Sequence, residues 1–308
     1  MNVTIEPRPH LDDTGENPLS PFSVVVPAYN EKQAIRRSIA DLQSHLRQLP
    51  VDYEIIVVDD GSTDGTSEVL AAMAGVRVVR HEFNRGYGAA LKTGIRVARH
   101  PLIVITDADG TYPNERIADL LRLASVADMV VGARTGAKVE YSRLRSIPKW
   151  FLKRFAEWMA RQPIPDINSG LRVFRKDVVT RFLNILPNTF SFTTTITLAM
   201  LTNDLVVYYE PIDYHHRIGT SKIKPIRDTL RFIQLILRTG MYFAPLRVFL
   251  PVAGVFFAGF LATFTYETLV VTPPNITDKS LIMLVASAQL GMFALLADMI
   301  DKRSGGPK

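Results

Sequence analysis

The sequence predicts an α/β protein: a doubly wound, mostly parallel sheet with helices on both faces, followed by a juxtamembrane amphipathic helix and a two-helix transmembrane hairpin. Two observations carry this. From Phe22 onward, short β-branched runs alternate with amphipathic stretches, the pattern of parallel strands joined by right-handed helical crossovers. Near the C-terminus, residues 248–266 and 280–297 contain no charged residue. A helix over either would run ~28 Å, enough to cross a hydrocarbon core.

Residues 1–20 hold Glu6, Asp12, Asp13 and Glu16 with several prolines and no apolar run, and so read as a disordered tail rather than a signal peptide. Strands are expected at 22–26, 54–58, 76–80, 102–105 and 129–131, with helices at 31–49, 66–74, 87–98 and 114–124. In such a sheet, ligands sit at the carboxyl ends of the strands. After Val131 the alternation degrades. Residues 147–161 set Trp150, Phe151, Phe155, Trp158 and Met159 among Lys149, Lys153, Arg154 and Arg161, which favours an interfacial helix over a core-packing one. Residues 226–243, with Arg227, Arg231 and Arg238 beside Leu230, Phe232, Ile233, Leu235 and Ile236, would lead the chain into the bilayer.

The expected division is a tail at 1–20, an α/β domain at 21–224, a juxtamembrane helix at 225–245, a hairpin at 246–300 with spans near 248–268 and 280–298, and a second tail at 301–308. Arg247 before the first span and Lys302 and Arg303 after the second place both termini and the α/β domain on the cytoplasmic side by the positive-inside rule. Pro251 is expected in the first turn of its helix, where it costs nothing. Gly254, Ala258 and Gly259 offer small faces for packing within the hairpin or between subunits, which leaves a homo-oligomer open.

With 308 residues, 47% of them apolar, the chain can bury one sizeable α/β core and still form a second module. It has no cysteine, which excludes a disulfide framework and any thiolate metal or redox site. The net charge of +6 comes from Lys and Arg spread along helices and gathered near the apolar C-terminal part. That distribution points to membrane phosphates rather than nucleic acid.

Chemistry concentrates at predicted strand ends. Val104-Ile105-Thr106-Asp107-Ala108-Asp109-Gly110 is a β-branched run closing on two carboxylates one residue apart. At a strand end both can converge on one divalent cation, which takes its remaining ligands from water and phosphate oxygens and neutralises a diphosphate leaving group. The first strand runs into Pro27-Ala28-Tyr29-Asn30-Glu31 and the second into Asp59-Asp60-Gly61-Ser62-Thr63-Asp64-Gly65. An aromatic ring and a carboxylate there suit a nucleobase and a ribose, while Asn30, Ser62 and Asp64 also suit helix N-caps. Asn84-Arg85-Gly86-Tyr87-Gly88 is a glycine loop opening a helix, able to approach a diphosphate. No Gly-X-Gly-X-X-Gly follows the first strand and no Walker Lys-Ser/Thr follows any strand, so dinucleotide and P-loop readings lack their phosphate cradles.

Together these ordered motifs resemble the inverting nucleotide-sugar transferases of glycosyltransferase family 2, which have the GT-A fold; the resemblance covers roughly residues 21–224. It implies that Pro27, Tyr29, Glu31, Val58 and Asp60 contact the nucleotide. Asp107, Ala108 and Asp109 match the family's metal and diphosphate motif, the two aspartates holding Mg²⁺ or Mn²⁺. The closer likeness is to the polyprenyl-phosphate branch, typified by dolichol-phosphate mannose synthase. There Asp166-Ile167-Asn168-Ser169-Gly170-Leu171-Arg172-Val173-Phe174 resembles the loop shaping the acceptor side, and Arg217-Ile218-Gly219-Thr220-Ser221-Lys222 resembles the acceptor-phosphate motif. Two departures stand out: Thr111 occupies a position where many members have a metal-contacting glutamine, and no Gln-X-X-Arg-Trp motif of processive polysaccharide synthases occurs.

The activity so implied is transfer of one sugar, with inversion, from GDP-mannose, UDP-glucose or a UDP-hexosamine to a dolichyl or undecaprenyl phosphate at the cytoplasmic membrane face. Asp109, Asp166 and Arg217 are the expected catalytic residues, with Arg134, Arg217, Ser221 and Lys222 on the acceptor phosphate. Asp166 orients the nucleophile or the sugar, since a phosphate is already ionised at pH 7. The alternatives are a membrane glycosyltransferase with a hydroxyl acceptor, in which Asp166 is a true base, and a non-catalytic adaptor that keeps the fold.

Overall fold

A computed structural model describes residues 19–135, 146–214, 237, 240–242, 244–271 and 275–304. They belong to two compact units, residues 1–229 and 230–308. Among the described residues the first contains seven strands: β1 Phe22–Ala28, β2 Tyr53–Asp59, β3 Arg77–Arg80, β4 Leu102–Ile105, β5 Met129–Ala133, β6 Arg172–Arg175 and β7 Val207–Pro211. Its helices are α1 Ile35–Leu46, α2 Thr66–Ala71, α3 Tyr87–Val97, α4 Ile117–Leu123, α5 Ser146–Ala160, α6 Lys176–Phe182 and α7 Phe192–Thr202.

The strands form one sheet in the order β3-β2-β1-β4-β6-β5-β7. β1, β4 and β5 are buried along their whole length because helices cover both faces, which is why they read as unbroken apolar runs. α1 buries Ile35, Ser38, Ile39, Leu42 and Leu46, one stripe at helical spacing. β3 lies at the sheet edge, where Arg77 and Arg80 keep it from pairing further. α3 lies close against β1: a Cβ on Gly94 would stand 2.3 Å from Val25 Cγ1.

The five expected strands are all present, β1, β2 and β5 extending beyond their predicted limits. The expected 114–124 helix divides into a 3₁₀ turn, Asn114–Arg116, and α4. Four further elements, β6, α6, α7 and β7, fill the region where the alternation degrades. β6 is antiparallel to both β4 and β5. It therefore enters the sheet at the edge where its parallel neighbours leave, with Arg172 opposite Ile105 and Val131. The residues just before β6 are thereby placed at the carboxyl ends of β4 and β5.

α5 buries Ala156, Met159 and Ala160 while Trp158, Lys153 and Arg154 stay exposed, so it packs on the domain with one face and presents ring and cations on another. Most of the expected 226–243 helix lies outside the described residues, as do Arg217, Ser221 and Lys222.

The second unit is a helical hairpin, α8 Pro245–Leu269 and α9 Asp278–Ser304. Both helices are long and apolar enough to cross a membrane, and their most apolar stretches are only 6% and 11% buried. Helices that turn their apolar side chains outward need a non-aqueous surrounding, unlike the core helices of a soluble domain. α8 begins at Pro245, so Pro251 lies inside the helix rather than in its first turn, and the bond its nitrogen cannot donate to Arg247 is absent. Glu267 near the end of α8 accepts hydrogen bonds from Thr277 N (3.0 Å), Thr277 Oγ1 and Ser280 Oγ (2.7 Å), which ties it to the start of α9. Gly259 faces Met283 across the hairpin, whereas nothing lies within 4 Å of a Cβ on Gly254.

Candidate active site

The loops after β1 and β2 are bonded to each other. Asn30, at φ +55°, receives Thr63 N on Oδ1 (2.8 Å) and donates its own N–H to Ser62 Oγ (3.0 Å). Glu31 N donates to Thr66 Oγ1 and Lys32 N to Asp64 Oδ2. The expected caps are thus mainly cross-loop ties: α1 starts after Ala34 and α2 after Gly65, neither with a side-chain cap. Tyr29, at this edge, is 38% exposed. Pro27 and Val58 are register partners with buried side chains, so contact with any ligand falls to their backbone.

The paired acids after β2 face inward. Asp59 accepts from Ser62 N (3.0 Å) and Ser67 Oγ. Asp60 accepts from Arg85 N (2.9 Å) and Gly86 N (2.8 Å) and lies 2.6 Å from His81 Nδ1, whose other nitrogen meets Thr93 Oγ1 at 2.9 Å. Asp60 therefore holds the glycine loop against the sheet. The same loop is pressed from the other side: a Cβ on Gly86 would be 2.3 Å from Asn188 O, and one on Gly88 2.2 Å from Pro187 O. Buried Lys92 secures that contact by donating to Leu186 O and Asn188 Oδ1.

After β4, Asp107 and Asp109 are half-buried and Ala108 is buried between them. Tyr87 Oη donates to Asp107 Oδ1 (2.9 Å). Thr111 donates to Asp109 Oδ1 from both N (3.1 Å) and Oγ1 (2.7 Å), so the residue standing in the glutamine position orients the second aspartate. Gly170 lies beside Asp107: a Cβ there would come within 2.8 Å of Oδ2. Among the described residues no group of three or more His, Cys, Asp or Glu side chains converges on a metal site. Two carboxylates at a strand end suit a hard cation that draws its other ligands from a diphosphate and water.

Asp166 is brought to this edge by β6. Its Oδ2 receives Arg134 N (3.1 Å) and Nε (2.7 Å), and its Oδ1 receives Arg134 Nη2 (3.0 Å) and Asn168 N (3.0 Å). Burial pushes the Asp166 carboxyl up, but the bonds and charge of Arg134 outweigh it and hold the group below the ordinary value. Arg134 in turn stands over the Tyr214 ring at 5.3 Å, and Tyr214 meets Tyr112 edge-on. Tyr112 Oη accepts from Gly170 N (2.6 Å).

The motif's own arginine was not among the expected site residues. Arg172 is fully buried and donates to Ser169 O (2.7 Å), Ile167 O (2.9 Å) and Thr197 Oγ1 (2.6 Å), bracing the 166–171 loop from beneath. Tyr87 and Arg172 lie within motifs visible in the sequence, but Tyr87 bonds a residue 20 positions away, and Arg172 joins its own loop to Thr197, 25 positions away. A groove of about 940 Å³ opens among Arg99, His100, Leu102, Arg175 and Lys176 at the opposite end of β4 and β6, away from these carboxylates.

Because Gly170 fits only without a side chain, Gly170→Ala should displace Asp107 and lower transfer by roughly 100-fold. Thermal unfolding, monitored in parallel, should move by no more than about 3 °C. Full activity in the alanine variant would show that the close approach is unimportant.

A mostly parallel sheet interrupted by one antiparallel strand, with paired aspartates after β4 and an arginine–carboxylate pair beside them, defines a glycosyltransferase frame. The chain belongs to glycosyl transferase family 2, whose model matches residues 23–183, and a second model, the GtrB C-terminal hairpin, matches residues 244–302. It is a glycosyltransferase. Among its relatives, the undecaprenyl-phosphate 4-deoxy-4-formamido-L-arabinose transferase of Pseudomonas fluorescens is 30% identical over 82% of this chain and 74% of the relative. The Yersinia pestis protein of the same name is 29% identical over 82% and 76%. Mannosyl-3-phosphoglycerate synthase from Rubrobacter xylanophilus superposes with a TM-score of 0.54 at 20% identity, covering 71% of this chain and 72% of its own. Glucosyl-3-phosphoglycerate synthase from Mycobacterium tuberculosis, in complex with Mn²⁺, UDP and glucosyl-3-phosphoglycerate, also gives 0.54 at 22% identity, covering 71% and 80%. These two similarities establish the fold.

Proposed function

We propose that this protein transfers a single sugar from a nucleotide-sugar to a polyprenyl phosphate, with inversion, at the cytoplasmic face of a membrane. The observation that carries this reading is the presence in one chain of a family 2 domain and a C-terminal apolar hairpin, supported by a relative, matched over 82% of the chain, that is named an undecaprenyl-phosphate sugar transferase.

Asp107 and Asp109 would hold Mg²⁺ or Mn²⁺, which when bound would supply positive charge for the departing nucleoside diphosphate. Tyr29, Glu31 and the backbone at Pro27, Val58 and Ala108 would frame the nucleotide, with Asp60 acting through the loop it binds. The glycine loop held by Asp60 gives its backbone close access to the diphosphate. Arg134 and Asp166 act as one unit on the acceptor side: the arginine supplies positive charge and the carboxylate fixes its plane. Arg217, Ser221 and Lys222, which precede the hairpin in the chain, would bind the acceptor phosphate. A hydroxyl acceptor would require Asp166 to take up a proton, and a carboxyl held below its ordinary value by a bidentate arginine is a weak base at pH 7.

The test is transfer of labelled sugar to a polyprenyl phosphate in detergent, offering GDP-mannose, UDP-glucose, UDP-N-acetylglucosamine and nucleotide-linked 4-deoxy-4-formamido-L-arabinose, with and without Mg²⁺ or Mn²⁺. Metal-dependent label in the lipid from one donor is the expected result. Label only in diacylglycerol or a glycan would overturn the acceptor assignment.

A further inference from the structure

We infer that Tyr87 is a positioning residue that sets the plane of the Asp107 carboxylate for a divalent cation bound with a nucleoside diphosphate; the inference rests on the function proposed above. Tyr87 is the first residue of α3, and three contacts fix where that helix begins. Asp60 binds Gly86 N, Lys92 ties α3 to the 186–188 turn, and Gly86 and Gly88 let the turn press directly on the helix start. The ring is covered on one face by Phe190, stacked at 5.1 Å with planes 21° apart. Its hydroxyl points at Asp107 Oδ1, 2.9 Å away.

Asp107 is confined on its other side as well. Gly170 stands so near Oδ2 that a Cβ would be 2.8 Å from it, and Gly170 is itself fixed by the bond from its N–H to Tyr112 Oη. A carboxylate gripped between a hydroxyl donor and a backbone wall keeps one orientation. A hydrogen bond from a neutral hydroxyl leaves the charge on the carboxylate, as a metal ligand requires. Partners of this kind around ligating carboxylates are worth about 10–100-fold in metal affinity or activity.

Tyr87→Phe removes the hydroxyl and keeps the stacked ring; Tyr87→Met removes it with a flexible side chain of similar reach. Binding of Mn²⁺ to the full-length protein in detergent would be followed by electron paramagnetic resonance in the presence of UDP or GDP, alongside thermal unfolding. Both variants should need about tenfold more Mn²⁺ for half-saturation while unfolding within about 3 °C of the parent. In the transfer reaction the phenylalanine variant should regain most of its rate as Mn²⁺ is raised, a response that a general packing defect would not show. Unchanged Mn²⁺ affinity in a folded variant overturns the role of Tyr87 alone. Absence of Mn²⁺ binding to the parent with either nucleotide overturns the function reading, and the inference with it.

Discussion

Replacing Asp109 by asparagine should lower sugar transfer by about 10³-fold, a loss of roughly 4 kcal/mol of transition-state stabilisation. The substitution keeps the size of the side chain and an oxygen able to accept from Thr111 N and Oγ1, so the turn after β4 retains its bonds. What it removes is one of two negative charges at the strand end. With no third acid in reach among the described residues, half of the protein's share of the cation's charge complement is gone. The effect should therefore be much larger than that of removing an ordinary surface carboxylate. Measured as transfer rate against Mn²⁺ concentration, the variant should stay slow even at high metal. A rate within tenfold of the parent across the titration would remove Asp109 from the machinery.

The second large effect is expected at Asp166. Asparagine there leaves Arg134, whose side chain is only 21% exposed, without its charge partner. Breaking a buried pair in this way typically costs about 3–5 kcal/mol, and the partial exposure of the arginine places this case near the lower end. The melting temperature should fall by several degrees. Transfer should fall by at least about 100-fold, because a guanidinium that has lost its fork partner no longer presents one plane to a phosphate.

The pH dependence follows from the same pair. Arg134 holds the folded-state pKa of Asp166 below the ordinary carboxylate value, despite the opposing effect of burial. The stability it contributes is thus fully present above the unfolded value of about 3.9 and is lost as pH falls through the folded value. Acid unfolding of the parent should be steeper below pH 4 than that of Asp166→Asn. The parent's rate profile between about pH 5 and 8 should show no ionisation that the asparagine variant abolishes. A limb in that range that disappears with Asp166 would restore it as a general base, and with it a hydroxyl acceptor.

The difference between what could be read directly from the chain and what could not has a clear physical origin. β1, β2, β4 and β5 are buried on both faces, and a strand buried that way must be an unbroken apolar run, so its position and its carboxyl end are written in consecutive residues. The hairpin is equally local, because a helix that meets hydrocarbon needs apolar residues all round. Glycosyl transferase family 2 membership was legible for a related reason: its motifs follow strand ends and stay short.

α7 illustrates the opposite case. Its threonines at 193, 194, 195 and 197 are all buried, a composition that suggests neither a helix nor a core until their hydroxyls are seen bonding back to the helix or across to Asn168 and Arg172. Asp60 shows the same limit. A carboxylate at a strand end invites a ribose, yet its bonds go to the loop that carries Gly86.

By itself, then, the sequence determined the parallel half of the sheet, the paired aspartates, the absence of thiol chemistry and the apolar hairpin, because each depends on residues adjacent along the chain. Only the tertiary structure decided that β6 runs antiparallel, and that strand direction alone carries Asp166 and Gly170 to the edge where Asp107 and Arg134 already stand. Strand direction and the meeting of residues tens of positions apart are settled by packing and by the satisfaction of buried polar groups, which no local pattern records.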